Sequence, residues 1–189
     1  KDALMGETSA PHPSQSEIEA GLPGYRPKLD GNPRQLKTIA AAIAAAERPM
    51  LLVGHGVLIA KAERELLELA RLAQIPIAWT LLGIGAVDER DPLAYGYMGM
   101  HGWKHVNRAI QTADLLIAVG MRFDDRVTGN VRTYAPHAKI VHIDIDPAEI
   151  GKNVVADLPV VGDAQHVLAA LIPLVERVDP SRRAGYVAE

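Results

Sequence analysis

The chain has 189 residues, 48% of them apolar, with 20 lysine and arginine residues against 23 acidic ones and a formal net charge of -3. A chain of this length buries roughly 70% of its unfolded surface, so we expect one main domain with a substantial core. It has no cysteine, which excludes thiolate chemistry, and no cluster of basic residues that would contact a nucleic-acid backbone. No apolar run approaches the ~18 residues of a membrane span.

Residues 1–32 are dominated by proline, glycine, serine and charged residues, with almost no apolar periodicity. This composition predicts a linker rather than a folded element. No apolar stretch of a signal peptide follows Lys1, and the chain does not begin with methionine. We therefore expect residues 1–32 to be an interdomain lead-in from a preceding part of a longer polypeptide.

The next segment predicts two helices and two strands in alternation. Apolar residues at helical spacing predict a helix over 35–47 and another over 62–70. Between them, residues 49–53 form a short apolar run that ends at glycine, as is typical of a strand buried on both faces of a parallel sheet. Residues 75–80 predict the second strand, with a proline near its start where a missing N–H is tolerated.

The middle of the chain is less regular. Residues 81–102 are rich in glycine and predict a loop. A short amphipathic helix is predicted over 105–111, followed by two apolar strands over 114–119 and 139–144.

The last predicted strand covers residues 159–163, and Asp163 is suited to cap a helix that continues to Val175. Strands and helices thus alternate at the spacing of βαβ units, which predicts an α/β fold with a parallel sheet. Right-handed crossovers place helices on both faces, which gives a three-layer, doubly wound domain. We expect this domain to cover residues 33–178 and a C-terminal linker to cover 179–189.

Each predicted strand ends in residues suited to ligand binding, and ligands of open α/β sheets bind beyond the carboxyl ends of strands. Gly54-His55-Gly56 follows the first strand, and glycine amides can approach a diphosphate. Arg122 follows the third strand and could clamp phosphate, while Asp144 ends the fourth and could accept ribose hydroxyls. Together these residues predict a pocket for an extended dinucleotide.

Each of these signals also has a plain structural interpretation. A glycine at a strand end is more often only a turn, and Asp144 and Asp146 are equally suited to capping the next turn. The cluster Asp124-Asp125-Arg126 is consistent with an exposed ion-pair surface worth ~0–1 kcal/mol. The dinucleotide pocket is favoured because all of the signals fall at one edge of the sheet.

The sequence lacks the motifs of common catalytic sites. It has no GxSxG elbow, no Walker A loop, no HExxH zinc motif and no paired carboxylates in a plausible cleft. His101 or His105 could act as a base, but no nucleophile accompanies either. We therefore expect the chain to bind a ligand, with no catalytic or metal-binding residue of its own.

Three motifs carry a resemblance to a known family: Gly99-Met100-His101-Gly102, the string RFDDRVTG over 122–129, and HIDIDPAEIGKN over 142–153. In these motifs the sequence resembles the catalytic (large) subunit of acetohydroxyacid synthase, also called acetolactate synthase. The similarity extends from about Leu22 to about Leu174. It covers only the central domain of that three-domain, thiamine-diphosphate-dependent enzyme family.

The resemblance implies a Rossmann-like, six-stranded parallel sheet that binds FAD in an extended form, with a structural role for the flavin. Residues after the first strand are implied at the diphosphate, those after the second strand at the flavin or ribityl chain, and those after the last two strands at the adenosine. One departure is His55, where family members often have a third glycine. The implied FAD contacts are Gly54, His55, Gly56, Thr80, Leu81, Leu82, Met100, His101, Gly120, Met121, Arg122, Asp124, Arg126, Val127, Asp144, Ile145, Glu149, Gly162 and Asp163.

The resemblance also implies the reaction of the whole enzyme. Members of the family are transferases that condense two pyruvates, or pyruvate and 2-oxobutyrate, in branched-chain amino-acid biosynthesis. Their thiamine diphosphate and magnesium lie in the two flanking domains, so we expect this chain alone to bind FAD and to be inactive. Implied partners are those flanking domains, further copies in a homo-oligomer and a regulatory small subunit. We expect a cytoplasmic location and no partnership with nucleic acid or membrane.

Two alternatives stay open on the sequence alone. The first is the central domain of another thiamine-diphosphate enzyme, such as glyoxylate carboligase or a decarboxylase, which binds ADP or nothing. The second is a non-catalytic nucleotide-binding or assembly module that acts only through its partners.

Overall fold

A computed structural model describes residues 14, 16, 17 and 27–188, so most of the predicted lead-in over 1–32 lies outside the described residues. The helices and strands alternate along the chain, with short 3-10 turns at Leu81–Gly83, Val131–Thr133 and Ile172–Leu174. In chain order they are α1 (Pro33–Ala45), β1 (Pro49–Val53), α2 (His55–Ile59), α3 (Glu63–Ala73), β2 (Ile77–Trp79), β3 (Ala94–Tyr97), α4 (Lys104–Thr112), β4 (Leu115–Val119), α5 (Asp125–Thr128), β5 (Lys139–Asp144), β6 (Leu158–Val161), α6 (Ala164–Leu171) and α7 (Pro180–Ala188).

The six strands form one sheet in the order β3-β2-β1-β4-β5-β6, and every neighbouring pair is parallel. The strand order runs outward in both directions from the adjacent pair β1 and β4. This is the doubly wound arrangement, and it confirms the predicted α/β fold. The point where the order reverses lies between β1 and β4, where a crevice opens beyond the carboxyl ends of the strands.

The core lies on both faces of the sheet because the central strands are apolar at every position. All five residues of β1 and all five of β4 are buried. In β1, Leu51 and Val53 pack with residues of α1, α3 and α6, whereas Met50 and Leu52 pack on the opposite face with residues of α4. No helix in the described ranges is long and apolar enough to cross a membrane.

Two helix boundaries of the structure differ from the prediction, each for a clear physical reason. The side chain of Asn32 accepts a hydrogen bond from the Arg34 amide, so α1 begins at Pro33, two residues before the predicted start. Asp163 caps α6 as predicted, but the α-helix ends at Leu171 instead of continuing to Val175. Pro173 lies in the 3-10 turn that follows, and proline cannot donate the backbone hydrogen bond that an α-helix needs.

The structure corrects the loop predicted over 81–102, because residues Ala94–Tyr97 form the edge strand β3. The strand is short and only partly buried, its pairing with β2 is irregular between Ile77 and Ala78, and Gly96 has a φ of 130°. A half-buried edge strand with a glycine has neither the apolar run nor the alternation that predicts a strand.

The C-terminal segment also differs from the expectation. Residues 179–189 were predicted as a linker, yet α7 occupies Pro180–Ala188 and buries Arg183 and Tyr186. The guanidinium of Arg183 donates to the backbone carbonyls of Ile43, Ala46 and Ala73. These carbonyls lie at the C-terminal ends of α1 and α3.

Arg183 stabilises these helix ends for a simple electrostatic reason. The last carbonyls of an α-helix lack partners within the helix and carry partial negative charge, so a cation is favoured there. The last turn of α1 contains no basic residue of its own. Arg183 therefore supplies from α7 the cation that α1 lacks, and this contact docks α7 on the domain.

We expect Arg183→Met to lower the free energy of unfolding by about 3 kcal/mol, because buried helix-end carbonyls lose a charged donor. Arg182 is the matched control, since it lies on the same helix, is exposed, and donates to a single carbonyl, that of Ala44. Arg182→Met is expected to cost less than about 1 kcal/mol. Urea unfolding followed by circular dichroism measures both variants, and equal losses would contradict the role given to Arg183.

Candidate functional site

A cleft of about 760 Å³ lies beyond the carboxyl ends of the strands, across the junction of β1 and β4. Its volume falls within the roughly 300–1,000 Å³ of small-molecule sites in proteins. All of the predicted site residues except Met100 and Glu149 line this cleft. The lining residues that sequence analysis missed are Ile59, Ala60, Tyr97, Met98, Ile143 and Ala164.

The floor of the cleft is a contact between two backbone turns. The amide of Gly56 donates to the carbonyl of Gly120 at 2.9 Å, and the amide of Gly54 donates to the carbonyl of Val119 at 3.1 Å. A Cβ atom on Gly54 would lie 2.3 Å from the Gly120 carbonyl oxygen, and one on Gly56 would lie 2.6 Å from the Gly120 Cα atom. Side chains are therefore excluded from both turns by sterics.

This contact changes the interpretation of the glycines. Sequence analysis expected their amides to face a diphosphate, but the amides of Gly54 and Gly56 already donate to backbone carbonyls of the protein. The glycines let the turns after β1 and β4 approach each other. His55, between them, is exposed and lines the cleft.

Two arginines give the middle of the cleft its positive charge. Arg122 lies 3.5 Å from Asp124, and Arg126 lies 3.8 Å from Asp125, with 62% and 71% of the arginine side chains exposed. Such long, exposed ion pairs contribute little stability, so both guanidinium groups remain available to an anion. Asp124 has a second role, since its carboxylate accepts from the Val127 amide and caps α5.

Carboxylates lie at the β5 and β6 end of the cleft. Burial raises the pKa of Asp144, whose Oδ1 atom accepts from the Asp146 amide. Asp163 accepts from the amides of Gln165 and His166 and thereby caps α6. Both carboxylates therefore hold local backbone, and both line the cleft as well.

The β2 end of the cleft is apolar. Leu81 and Leu82 are 63% and 61% exposed, and Ile59 from α2 is 70% exposed. Three large apolar side chains of one cleft that face solvent indicate a surface suited to a flat or apolar ligand group. Met98 directly follows β3 and lines the same cleft, but it is almost fully buried. Its amide donates to the carbonyl of Trp79.

The structure places two predicted site residues outside the cleft. The sulfur atom of Met100 lies 3.7 Å from Nη1 of Arg126, and its exposed side chain lies against a separate, smaller pocket. Glu149 pairs with Lys152 at 2.8 Å in the turn that follows β5. Met100 thus reaches the cleft only through Arg126.

His142 lies beneath the cleft as a fully buried residue of β5. Its Nε2 atom lies 2.9 Å from the carbonyl oxygen of Met121, while its Nδ1 atom has no partner in the described residues. Burial lowers the pKa of His142, against smaller opposing contributions from its hydrogen bond and from Asp144 and Glu149. A neutral imidazole with its proton on Nε2 is the form that donates to the carbonyl.

The family described as thiamine pyrophosphate enzyme, central domain, matches residues 36–171. The chain belongs to this family. This match confirms the predicted central domain of a thiamine-diphosphate enzyme.

The chain is similar to proteins named as acetolactate synthases. It is 53% identical over 179 residues to the probable acetolactate synthase large subunit of Methanocaldococcus jannaschii, covering 92% of this chain and 30% of that protein. It is 46% identical over 175 residues to the acetolactate synthase large subunit of Mycobacterium tuberculosis, covering 93% and 28%. It is 50% identical over 151 residues to that of Corynebacterium glutamicum, covering 80% and 24%. The chain thus spans less than a third of the length of these relatives.

The same substitution is expected to have opposite effects on stability at a glycine in the contact between the turns and at a glycine outside it. Gly56→Ala in α2 is expected to destabilise the protein by about 2–3 kcal/mol, because its Cβ atom meets backbone atoms that cannot rotate away. Gly185→Ala in α7 has open space around it and is expected to stabilise the protein by up to about 1 kcal/mol. Thermal and urea unfolding measure both variants, and a stabilising Gly56→Ala would show that the turns are not in contact.

The lowered pKa of His142 predicts a loss of stability in mild acid. Below about pH 6.5, His142 becomes protonated in the unfolded chain but stays neutral in the folded protein. The free energy of unfolding therefore decreases as the pH falls toward the lowered pKa of the folded state. His142→Gln removes this contribution. The stability difference between wild type and His142→Gln should therefore shrink from pH 7.5 to pH 5.5 in urea titrations. A difference independent of pH would mean that His142 is not held neutral.

Proposed function

We propose that the cleft binds FAD in an extended form and that the chain is the central domain of an acetolactate synthase large subunit. The observation that carries this proposal is the order of chemical groups along the cleft. Across the sheet, apolar side chains follow β2, arginines follow β4, and carboxylates lie at β5 and β6. This order matches a flavin ring, a diphosphate and an adenosine.

The dimensions and donor set are consistent with that ligand. From β2 to β6 the cleft crosses four interstrand spacings, or about 19 Å, which suits an extended dinucleotide. Arg122 and Arg126 offer guanidinium donors that suit phosphate oxygens. The partly buried carboxylate of Asp144 is an acceptor for ribose hydroxyls, as in other dinucleotide sites. In this assignment Leu81 and Leu82 cover part of the flavin ring.

We extend the proposal to the whole enzyme on the strength of the relatives' names. The enzyme would condense two pyruvates, or pyruvate and 2-oxobutyrate, as a thiamine-diphosphate- and magnesium-dependent transferase. Within the described residues, no group of three His, Cys, Asp or Glu side chains could hold a metal ion. A cytoplasmic location, a homo-oligomer and a regulatory small subunit belong to the same proposal.

The cleft assignment predicts the behaviour of two variants. Arg122→Ala and Asp144→Ala are expected to weaken FAD binding about ten- to a hundredfold, because each removes a charge-assisted contact worth about 1.5–3 kcal/mol. Asp144→Asn keeps an acceptor oxygen and should lose less than Asp144→Ala. Titration followed by the change in flavin fluorescence gives the dissociation constants.

The control for Arg122 is Arg132→Ala, because Arg132 is an exposed arginine outside the cleft. It should leave FAD affinity unchanged. Unchanged affinity in both Arg122→Ala and Asp144→Ala would contradict the placement of FAD. Binding of ADP without FAD would favour another thiamine-diphosphate enzyme, and binding of neither would favour an assembly module. Acetolactate formation from pyruvate by the native protein, isolated from its source cells with an antibody to this chain, tests the proposed reaction.

A further inference from the structure

The segment that carries Arg122 into the cleft is held on both sides of that residue. Residues 120–124 connect β4 to α5. The carbonyl of Met121 accepts from His142 Nε2 at 2.9 Å, and the carbonyl of Phe123 accepts from Asn153 Nδ2 at 2.8 Å. The backbone before and after Arg122 is therefore fixed by side chains from β5 and from the turn that follows it.

Packing reinforces these two hydrogen bonds. The Met121 and Phe123 side chains are only 3% and 4% exposed, while the Arg122 side chain between them is mostly exposed. The ring of Phe123 meets the His142 ring edge to face at 5.1 Å and the Tyr134 ring at 6.0 Å. Both residues that flank Arg122 are thus buried in the core, Met121 also at the edge of the cleft, while the Arg122 side chain is directed outward.

His142 and Asn153, which together form a clamp on this backbone, belong to one sequence motif and contact the backbone at another. His142 and Asn153 are the first and last residues of the motif over 142–153. Their contacts, Met121 and Phe123, lie immediately before and within the motif over 122–129. Neither His142 nor Asn153 lines the cleft. Their contribution to the cleft therefore passes through the backbone of residues 120–124.

We propose that His142 and Asn153 are positioning residues that fix the backbone on both sides of Arg122, so that its guanidinium is already aimed at the anionic group of the ligand. The inference rests on the proposed binding of FAD for the identity of that group. A segment that is ordered before binding avoids the entropic cost of ordering when the ligand arrives.

Asn153 is the residue on which to test the proposal. His142 is fully buried, so its variants risk general unfolding, whereas Asn153 is exposed and Asn153→Ala should fold. Asn153→Ala is expected to weaken FAD binding about three- to tenfold, the change that one hydrogen bond accounts for. Amide hydrogen exchange in residues 120–124 of the ligand-free protein should become faster in the same variant. Asn130→Ala, which removes a hydrogen bond to the Arg132 amide in an exposed turn, is the control for both measurements.

A double-mutant cycle separates positioning from general stability. In the Arg122→Ala background, Asn153→Ala should change FAD affinity by less than twofold, because the guanidinium that it positions is gone. A full three- to tenfold loss in that background would overturn the role through Arg122. Unchanged exchange in residues 120–124 would overturn the clamp itself. Faster exchange in a protein that binds no FAD would support the clamp and overturn the proposed function.

Discussion

Two backbone turns touch where β1 and β4 end, and no side chain fits between them. The cleft depends on this contact, because it brings the turn that carries His55 against the turn that leads to Arg122. If the turns separated, the floor of the cleft would open and the side chains above it would no longer hold fixed positions relative to one another. The glycines at this point are thus required by the protein's own packing before any ligand is considered, and that requirement explains why glycine alone is a poor indicator of diphosphate binding.

The parts of the fold that could be predicted are those in which a buried element has a continuous run of apolar residues. β1 and β4 are apolar at every position because both of their faces are covered. Their carboxyl ends, once predicted, were enough to predict where most of the cleft lies. β3 escaped prediction because an edge strand with Gly96 at positive φ needs no apolar run. Tyr97 and Met98 were missed in consequence, since they follow from that strand. α7 escaped because its buried residues are Arg183 and Tyr186, which carry no apolar periodicity.

Part of the support for the cleft comes from residues that do not line it. β5 shows this division within one strand, since Asp144 reaches the cleft while His142 lies beneath it and holds the carbonyl of Met121. Asn153 acts from the turn beyond, and Asp124 both lines the cleft and caps α5. The relation between the two polar motifs, which are separated along the chain, is therefore a physical one: the later motif fixes the backbone of the earlier. Sequence analysis could identify both motifs but could not show this contact.

The anchoring of α7 and the support of the cleft differ in how they respond to pH. A guanidinium keeps its charge under all conditions in which proteins remain folded, and the contacts of Arg183 are buried, so dissolved ions screen them little. The support beneath the cleft is of another kind, since the buried His142 is held in its neutral form and its pKa is lowered. Acid therefore weakens the support that His142 gives to the cleft, whereas the contacts of Arg183 keep their strength.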